Sequence, residues 1–185
     1  MYKLVRYDDN NMPQFVKTAL LDLYNQFFPR KPGKPPRSLE WFNKLSQMRT
    51  CFLLLDNQII VSHASILRKN IIHAKKKYKL AGLGGVLTRF EYQKKGYGTQ
   101  IVKLATKFIN NQDFDIAVLF CHRNKEAFYR QNGWEILNND SIVIEEENTH
   151  PQLQDELTMI QYISAVAKGD KALFEDKPIF FGESW

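Results

Sequence analysis

The amino-acid sequence predicts a mixed α/β fold, on three observations. Strand-like and helix-like patterns alternate along the chain. The stretch Asp115 to Cys121 is apolar on both faces, as a central buried strand requires. A glycine-bearing loop, Gln93-Lys94-Lys95-Gly96-Tyr97-Gly98-Thr99, joins the apolar run Leu80 to Thr88 to an amphipathic segment.

Taken in order, Tyr2 to Tyr7 alternates as a first strand and Asn11 to Phe28 reads as helix. Pro29 to Pro36 holds four prolines and interrupts any helix, and Ser38 is placed to cap a second one reaching about Met48. Thr50 to Leu55 and Gln58 to Leu67 are apolar strands joined through Asp56-Asn57, the signature of a hairpin. Lys69 to Lys79 is polar and lysine-rich, and its Lys75-Lys76-Lys77 run reads as a solvated turn between long strands, since it lacks the aromatic platform that nucleic acid would need. After Leu80 to Thr88 come the glycine loop, its helix, the buried strand, and a short helix Ala127 to Asn132 ended by Gly133. Ser141 to Ile144 and Glu156 to Ile163 read as a closing strand pair. The expected order is a strand, two helices, three strands, helix, strand, helix and two strands.

With 185 residues, 44% hydrophobic and 25% charged, the chain suits one domain spanning 1–185 with a sizeable core. No apolar run approaches membrane-spanning length, and Met1 to Asp9 lacks the apolar core of a signal peptide. Cys51 and Cys121 each sit in an apolar strand pattern, which fits buried thiols in a reducing cytoplasm better than a disulfide. The net charge of +6 hides a split: residues 1–130 hold 23 Lys/Arg against 9 Asp/Glu, and residues 131–185 hold 3 against 11. A nucleic-acid binder would be basic throughout, whereas here the basic body suits a phosphorylated co-substrate and the acidic end suits equally a cationic acceptor or a solvated surface that balances the rest of the chain.

The loop carries the chemistry. Gly96 and Gly98 lack a Cβ, so successive N–H groups can converge on one phosphate, and the following helix adds its unpaired N–H groups and positive dipole end. That helix is expected because Ile101, Leu104, Ala105 and Phe108 recur at i, i+3, i+4 and i+7, leaving Lys103 and Lys107 on another face. Lys94 and Lys95 would screen the phosphate charge. By itself, Gly-x-Gly before a helix suits a plain capping loop as well.

The pattern Gln93-x-x-Gly96-x-Gly98, then a strand, then Tyr129-x-x-x-Gly133-Trp134, resembles the Gcn5-related N-acetyltransferases, which bind acetyl-CoA. The order of elements matches over about residues 2 to 163, and the specific motifs occupy Val86 to Trp134. The resemblance implies a mixed, twisted central sheet of six to seven strands with helices on both faces. It implies that the glycines of the strand, Gly82, Gly84 and Gly85, mark a bulge that parts neighbouring strands for the pantetheine arm. Val86, Leu87 and Thr88 would line that arm, the N–H near Val86 would polarise the thioester carbonyl, and Gln93 to Thr99 would hold the diphosphate. Asn124 stands for the helix-capping asparagine of the family, displaced toward Tyr129. The implied reaction is direct attack of a primary amine on the thioester, with Tyr129 giving a proton to the departing thiolate. A phenol of pKa near 10 stays protonated beside a thiol of about 8.5. Relatives place a glutamate where this chain has Gly84, and Leu80 to Thr88 holds no carboxylate or histidine. His63, His122, Glu91, the terminal carboxylate and water remain open as the base.

The end of the chain, Ile179 to Trp185, is too apolar for an idle tail. An acidic extension, 164–185, finishing in tryptophan is similar to the aminoglycoside 2'-N-acetyltransferases. That likeness implies an extension docked near the substrate site, with Glu183 and Trp185 binding a small cationic amine. The alternatives are a peptide or protein acceptor, and an acyl-CoA-binding protein without catalysis. No metal, nucleic acid or membrane partner is expected, and a homodimer is admitted.

Overall fold

The structure, a computed structural model, describes residues 2–8, 11–30, 32–46, 49–138, 142–145, 148–149, 156–177 and 179–181. In chain order its elements are β1 (Tyr2–Asp8), α1 (Gln14–Phe27), α2 (Leu39–Ser46), β2 (Arg49–Asp56), β3 (Ile59–His73), β4 (Lys76–Thr88), α3 (Tyr97–Asn110), β5 (Ile116–His122) and α4 (Glu126–Arg130). Beyond these come β6 (Glu135–Ile136), β7 (Ile142–Glu145), β8 (Asn148–Thr149), β9 (Glu156–Tyr162), α5 (Ala165–Gly169), α6 (Lys171–Asp176) and β10 (Ile179–Phe180). A seven-stranded sheet runs in the order β1-β2-β3-β4-β5-β9-β6, and β10-β7-β8 make a second, smaller one. The large sheet is mostly antiparallel with a parallel β4–β5 step, and helices flank it. This is the mixed α/β class that the alternation of patterns predicts.

The chain divides into two compact units, Met1–Ile66 with Gly85–Ala105, and Leu67–Gly84 with Thr106–Trp185. In the first, β1 and β2 pair antiparallel from Tyr2↔Asp56 to Asp8↔Thr50. Helix α1 turns Val16, Leu20 and Leu23 inward at helical spacing, onto Leu53, Ile60 and Leu87. Burying each of these leucines contributes about 2 kcal/mol. The proline-rich connection is pinned by Asn25, whose Nδ2 donates to the Arg37 carbonyl at 3.1 Å and whose Oδ1 accepts from the Arg37 amide at 2.8 Å. Ser38 caps α2 as its sequence predicts, its Oγ accepting from the Trp41 amide at 3.2 Å. The β2–β3 hairpin turns on Asn57 and Gln58, both at positive φ, which matches the twist of the flanking strands.

In the second unit the lysine run does mark a turn between long strands, but those strands reach further into the stretch Lys69 to Lys79 than the expected ends at Leu67 and Leu80. The strands continue to His73 and resume at Lys76, so the turn shrinks to Ala74 and Lys75, at φ 47° and 65°. Ile71, His73 and Tyr78 are buried at alternate positions while the lysines beside them face solvent. Period-two burial outweighed composition. β5 pairs β9 antiparallel from Ile116↔Tyr162 to His122↔Glu156, and β9 also pairs β6.

The expected closing pair is also corrected. β7 and β9 are not partners: β7 pairs β8 and, in parallel, β10, while β9 lies between β5 and β6. The extension after Tyr162 folds rather than trails. Ser164 caps α5 through its Oγ, accepting from the Ala167 amide at 3.1 Å, and Asp170 accepts from Lys76 at 2.7 Å and from the Tyr78 hydroxyl at 2.8 Å. His73 Nε2 lies 2.9 Å from the Leu173 carbonyl, and Phe174, Ile179 and Phe181 join the core around Leu80, Ile116 and Ile160. Cys51 is buried, Cys121 half-buried, and neither forms a disulfide. Among the described residues no helix is long and apolar enough to cross a membrane.

Candidate active site

The glycine loop belongs to the first unit and is built from main chain. Gln93 to Gly96 are exposed, with Lys94 at φ 60° and Gly96 at φ 84°, the two left-handed residues flanking Lys95. A Cβ added at Gly96 would meet nothing within 4 Å, so the glycine is required by its backbone angle and leaves open space in front of it. The first helical bond of α3 runs from the Gln100 amide to the Gly96 carbonyl at 2.9 Å. The N–H groups of Tyr97, Gly98 and Thr99 therefore have no acceptor within the helix and point out of its positive end. Gly98 sits inside the first helical turn, without a positive φ.

Side chains brace this loop. Gln93 Nε2 donates to the Thr88 carbonyl at 2.9 Å, and Lys95 Nζ donates to the Glu91 carbonyl at 2.9 Å while lying 5.5 Å from the centre of the Tyr92 ring. Tyr97 packs on Tyr2 with ring centres 4.7 Å apart, and its hydrogen bond with Tyr2, then burial, push its phenol up to about 12. Helix α3 buries Ile101, Val102, Ala105 and Ile109 and exposes Lys103 and Lys107, while Leu104 and Phe108 are only half-buried.

Upstream, Leu87 is buried in the core of the first unit, and Val86 and Thr88 on either side of it are half-buried. Ser62 fixes this edge, donating to the Leu87 carbonyl at 2.8 Å with its Oγ 2.9 Å from the Thr88 hydroxyl. Of the strand glycines, Gly85 is the one with a left-handed φ, 59°. Any Cβ there would collide with the Tyr24 hydroxyl and come within 3.2 Å of the His63 ring. The β4–β5 ladder ends at Gly82↔Val118, although β5 goes on pairing β9 as far as His122.

Around Gly85 lies a group that sequence reasoning missed apart from His63. His63 is fully buried, its Nδ1 2.7 Å from the Gly85 carbonyl, and burial holds its pKa down to about 4. Tyr24, also buried, has its hydroxyl hydrogen-bonded by Ser65 and Arg49, and burial raises its pKa. The side chains come from α1, the start of β2 and β3, and an arginine opening an apolar strand carries no signal of burial in one dimension.

The second unit carries the tyrosine motif. Tyr129 lies in α4, is 8% exposed, packs edge-on to Phe128 at 4.9 Å, and burial followed by the nearby Cys121 raises its pKa. Gly133, at φ 81°, ends this helix, and Trp134 is buried with its Nε1 donating to Thr106 at 3.1 Å. Asn124 is exposed in the short turn ahead of α4, its amide donating to His122 Nδ1 at 3.3 Å. The structure thus gathers Val86, Leu87, Thr88 and Gln93 to Thr99 in the first unit, and Asn124 and Tyr129 in the second. Glu183 and Trp185 lie outside the described residues. Among the described residues no cluster of His, Cys, Asp or Glu is arranged to hold a metal ion.

Comparison with known proteins follows the same lines. A family model described as an acetyltransferase (GNAT) domain matches residues 14–137, well over half the chain. No curated protein matches by sequence. Among solved structures, an acyl-CoA N-acyltransferase from Pseudomonas aeruginosa is similar at TM-score 0.62 and 14% identity, with 87% of this chain and 99% of that one covered. Aminoglycoside 6'-acetyltransferase type Ii is similar at 0.62 and 18%, covering 88% and 97%. A conserved protein of unknown function from Enterococcus faecalis is similar at 0.62 and 21%, over 74% of this chain and 33% of that one. This chain thus spans about a third of the Enterococcus protein. At such identities the likeness is one of fold.

Proposed function

The chain belongs to the GNAT acetyltransferase family and is an acyltransferase, and from that premise we propose that it transfers acetyl from acetyl-CoA to a primary amine of a small acceptor. Membership of the family implies an acyl-CoA co-substrate. The observation that carries the finer reading is the Gly96 turn: a left-handed glycine with open space before it, three helix N–H groups beyond it and Lys94 and Lys95 beside it. Oriented amides and a helix dipole stabilise a diphosphate without any catalytic side chain.

In this proposal Gln93 to Thr99 hold the diphosphate, Asn124 contributes a further polar contact, and Val86, Leu87 and Thr88 line the pantetheine arm. An N–H at Val86 stabilises the oxygen that gains charge as the amine attacks. The C–N bond forms, the C–S bond breaks, and the thiolate takes the Tyr129 proton. Burial, which raises the Tyr129 pKa, keeps that proton in place at neutral pH. The base is left to His122, Glu91, the terminal carboxylate or water, since burial holds the His63 pKa down to about 4 and leaves its ring too weak a base to keep the amine's proton.

A narrower form of the proposal makes the acceptor a cationic amine and the chain akin to the aminoglycoside 2'-N-acetyltransferases, with Glu183 and Trp185 on the acceptor and the whole chain working as one domain in a reducing cytoplasm. It is supported by the acidic excess of residues 131–185 and by the packing of Ile179 and Phe181 into a core, which anchors the segment leading to them. Following thiol release from acetyl-CoA across amino acids, polyamines, aminoglycosides and peptides tests both levels. Turnover with small amines is expected, with a raised KM for cations after deletion of residues 182–185. A response confined to peptides would overturn the small acceptor, and equal KM values in the shortened chain would overturn the role of Glu183 and Trp185.

A further inference from the structure

A polar group buried in the first unit carries a positive charge that no negative one answers among the described residues. Arg49 opens β2 with 8% of its surface exposed, and among the described residues no carboxylate pairs with it. Its Nε–H is wholly buried and has no acceptor. The Tyr24 hydroxyl stands beside it as a neutral partner and is itself hydrogen-bonded by Ser65. His63 adds a second unanswered atom. Its Nδ1 faces the Gly85 carbonyl at 2.7 Å, and a carbonyl only accepts, so the ring proton sits on Nδ1. Nε2 is then a bare acceptor, and it too is buried with no partner.

A buried guanidinium costs several kcal/mol unless an anion accompanies it. Its planar fork is suited to a carboxylate, and the phenol of Tyr24 adds a donor of the kind that holds one in place. The position narrows the identity of that anion. β4 bends at Gly85 so tightly against Tyr24 and His63 that no side chain fits there. The next residue is Val86, assigned above to the thioester carbonyl. The anion therefore belongs to the acceptor, since the diphosphate is assigned to the loop at Gly96.

We propose that Arg49 and Tyr24 bind a carboxylate of the acceptor while His63 Nε2 accepts a hydrogen bond from its amine, so that the acceptor is an amino acid. The proposal rests on the amine-acetylation reading and deepens it. It favours amino carboxylates over polyamines and aminoglycosides, because only the former bring both an anion for Arg49 and an N–H for Nε2. The amine is met by a neutral ring, which suits the neutral form that attacks.

The test compares the standard L-amino acids with their decarboxylated twins, such as lysine with cadaverine and phenylalanine with phenethylamine. In calorimetry on the protein saturated with coenzyme A, the best amino acid is expected to bind at least about 30-fold more tightly than its twin, the worth of a charge-assisted pair. In turnover, the same preference in kcat/KM is expected, and in Arg49→Met the ratio of amino acid to twin falls toward one. Arg49→Lys, which keeps the charge and loses the fork, is expected to recover part of that ratio. Should the methionine variant not fold, Tyr24→Phe serves, with a smaller loss of preference. Equal affinity for acid and twin would overturn the proposal and leave the two buried atoms to a bridging water. Calorimetric preference without acetylation of any amine would uphold the carboxylate site and overturn the acyl-transfer reading, so the two fail separately.

Discussion

Two regions of the first unit, each proposed to bind, would do so by opposite means. The loop Gln93 to Thr99, exposed from Gln93 to Gly96 and half-buried beyond, offers main-chain N–H groups at a turn set by the left-handed Gly96. The group around His63 is buried and offers side chains, so it depends on Tyr24, Arg49, Ser65 and Gly85 being brought together from distant parts of the chain. A main-chain site tolerates sequence change and is sensitive to backbone angle. A side-chain site is sensitive to every atom around it.

The sharpest way to break that contrast is Gly85→Ala. Its Cβ would strike the Tyr24 hydroxyl in a backbone region unfavourable to L residues, so a loss of about 3 kcal/mol or more is expected by denaturant unfolding. A loss below about 1 kcal/mol would show that the cluster can give way and is not rigid.

Next in size is the pH response of the buried histidine. His63 titrates at about 4 in the folded chain, below its ordinary 6.5, so between those values the unfolded state holds more protons. Its contribution is complete above pH 6.5 and is lost as pH falls toward 4, by at most about 3 kcal/mol. Comparing unfolding of the wild type with His63→Gln between these pH values checks it, and parallel curves would contradict a neutral, buried ring. Tyr129→Phe sharpens the comparison from the second unit. It is expected to lower kcat by about 100-fold with coenzyme A affinity nearly unchanged, and an unaltered kcat would remove the tyrosine from proton transfer.

How much of this the sequence disclosed follows from the same contrast. The glycine loop, its helix and the Gly133 stop were legible because a left-handed backbone leaves a mark in one dimension, as Gly96 at φ 84° and Gly133 at φ 81° confirm. The seven-stranded sheet was legible in class, but β7 and β9 were mispaired because pairing depends on partners far along the chain, such as β10 for β7. The lysine run at Lys75 to Lys77 hid two strand ends, since composition drowned the alternation of His73 and Tyr78. The lack of a glutamate at Gly84 was plain in the sequence, but nothing in the string of residues announced that Arg49 and His63 would be buried with unanswered atoms. Loop geometry is local, whereas a polar core is assembled.

The central claim, a diphosphate held by amides around Gly96, is tested most directly by calorimetry of coenzyme A and of pantetheine on wild type and Gly96→Val. A valine at φ 84° strains the turn while its Cβ meets nothing within 4 Å, so the fold should survive. Coenzyme A affinity is expected to fall at least about tenfold in the variant while pantetheine binding stays unchanged. Equal loss for both ligands, or none for coenzyme A, would contradict the account.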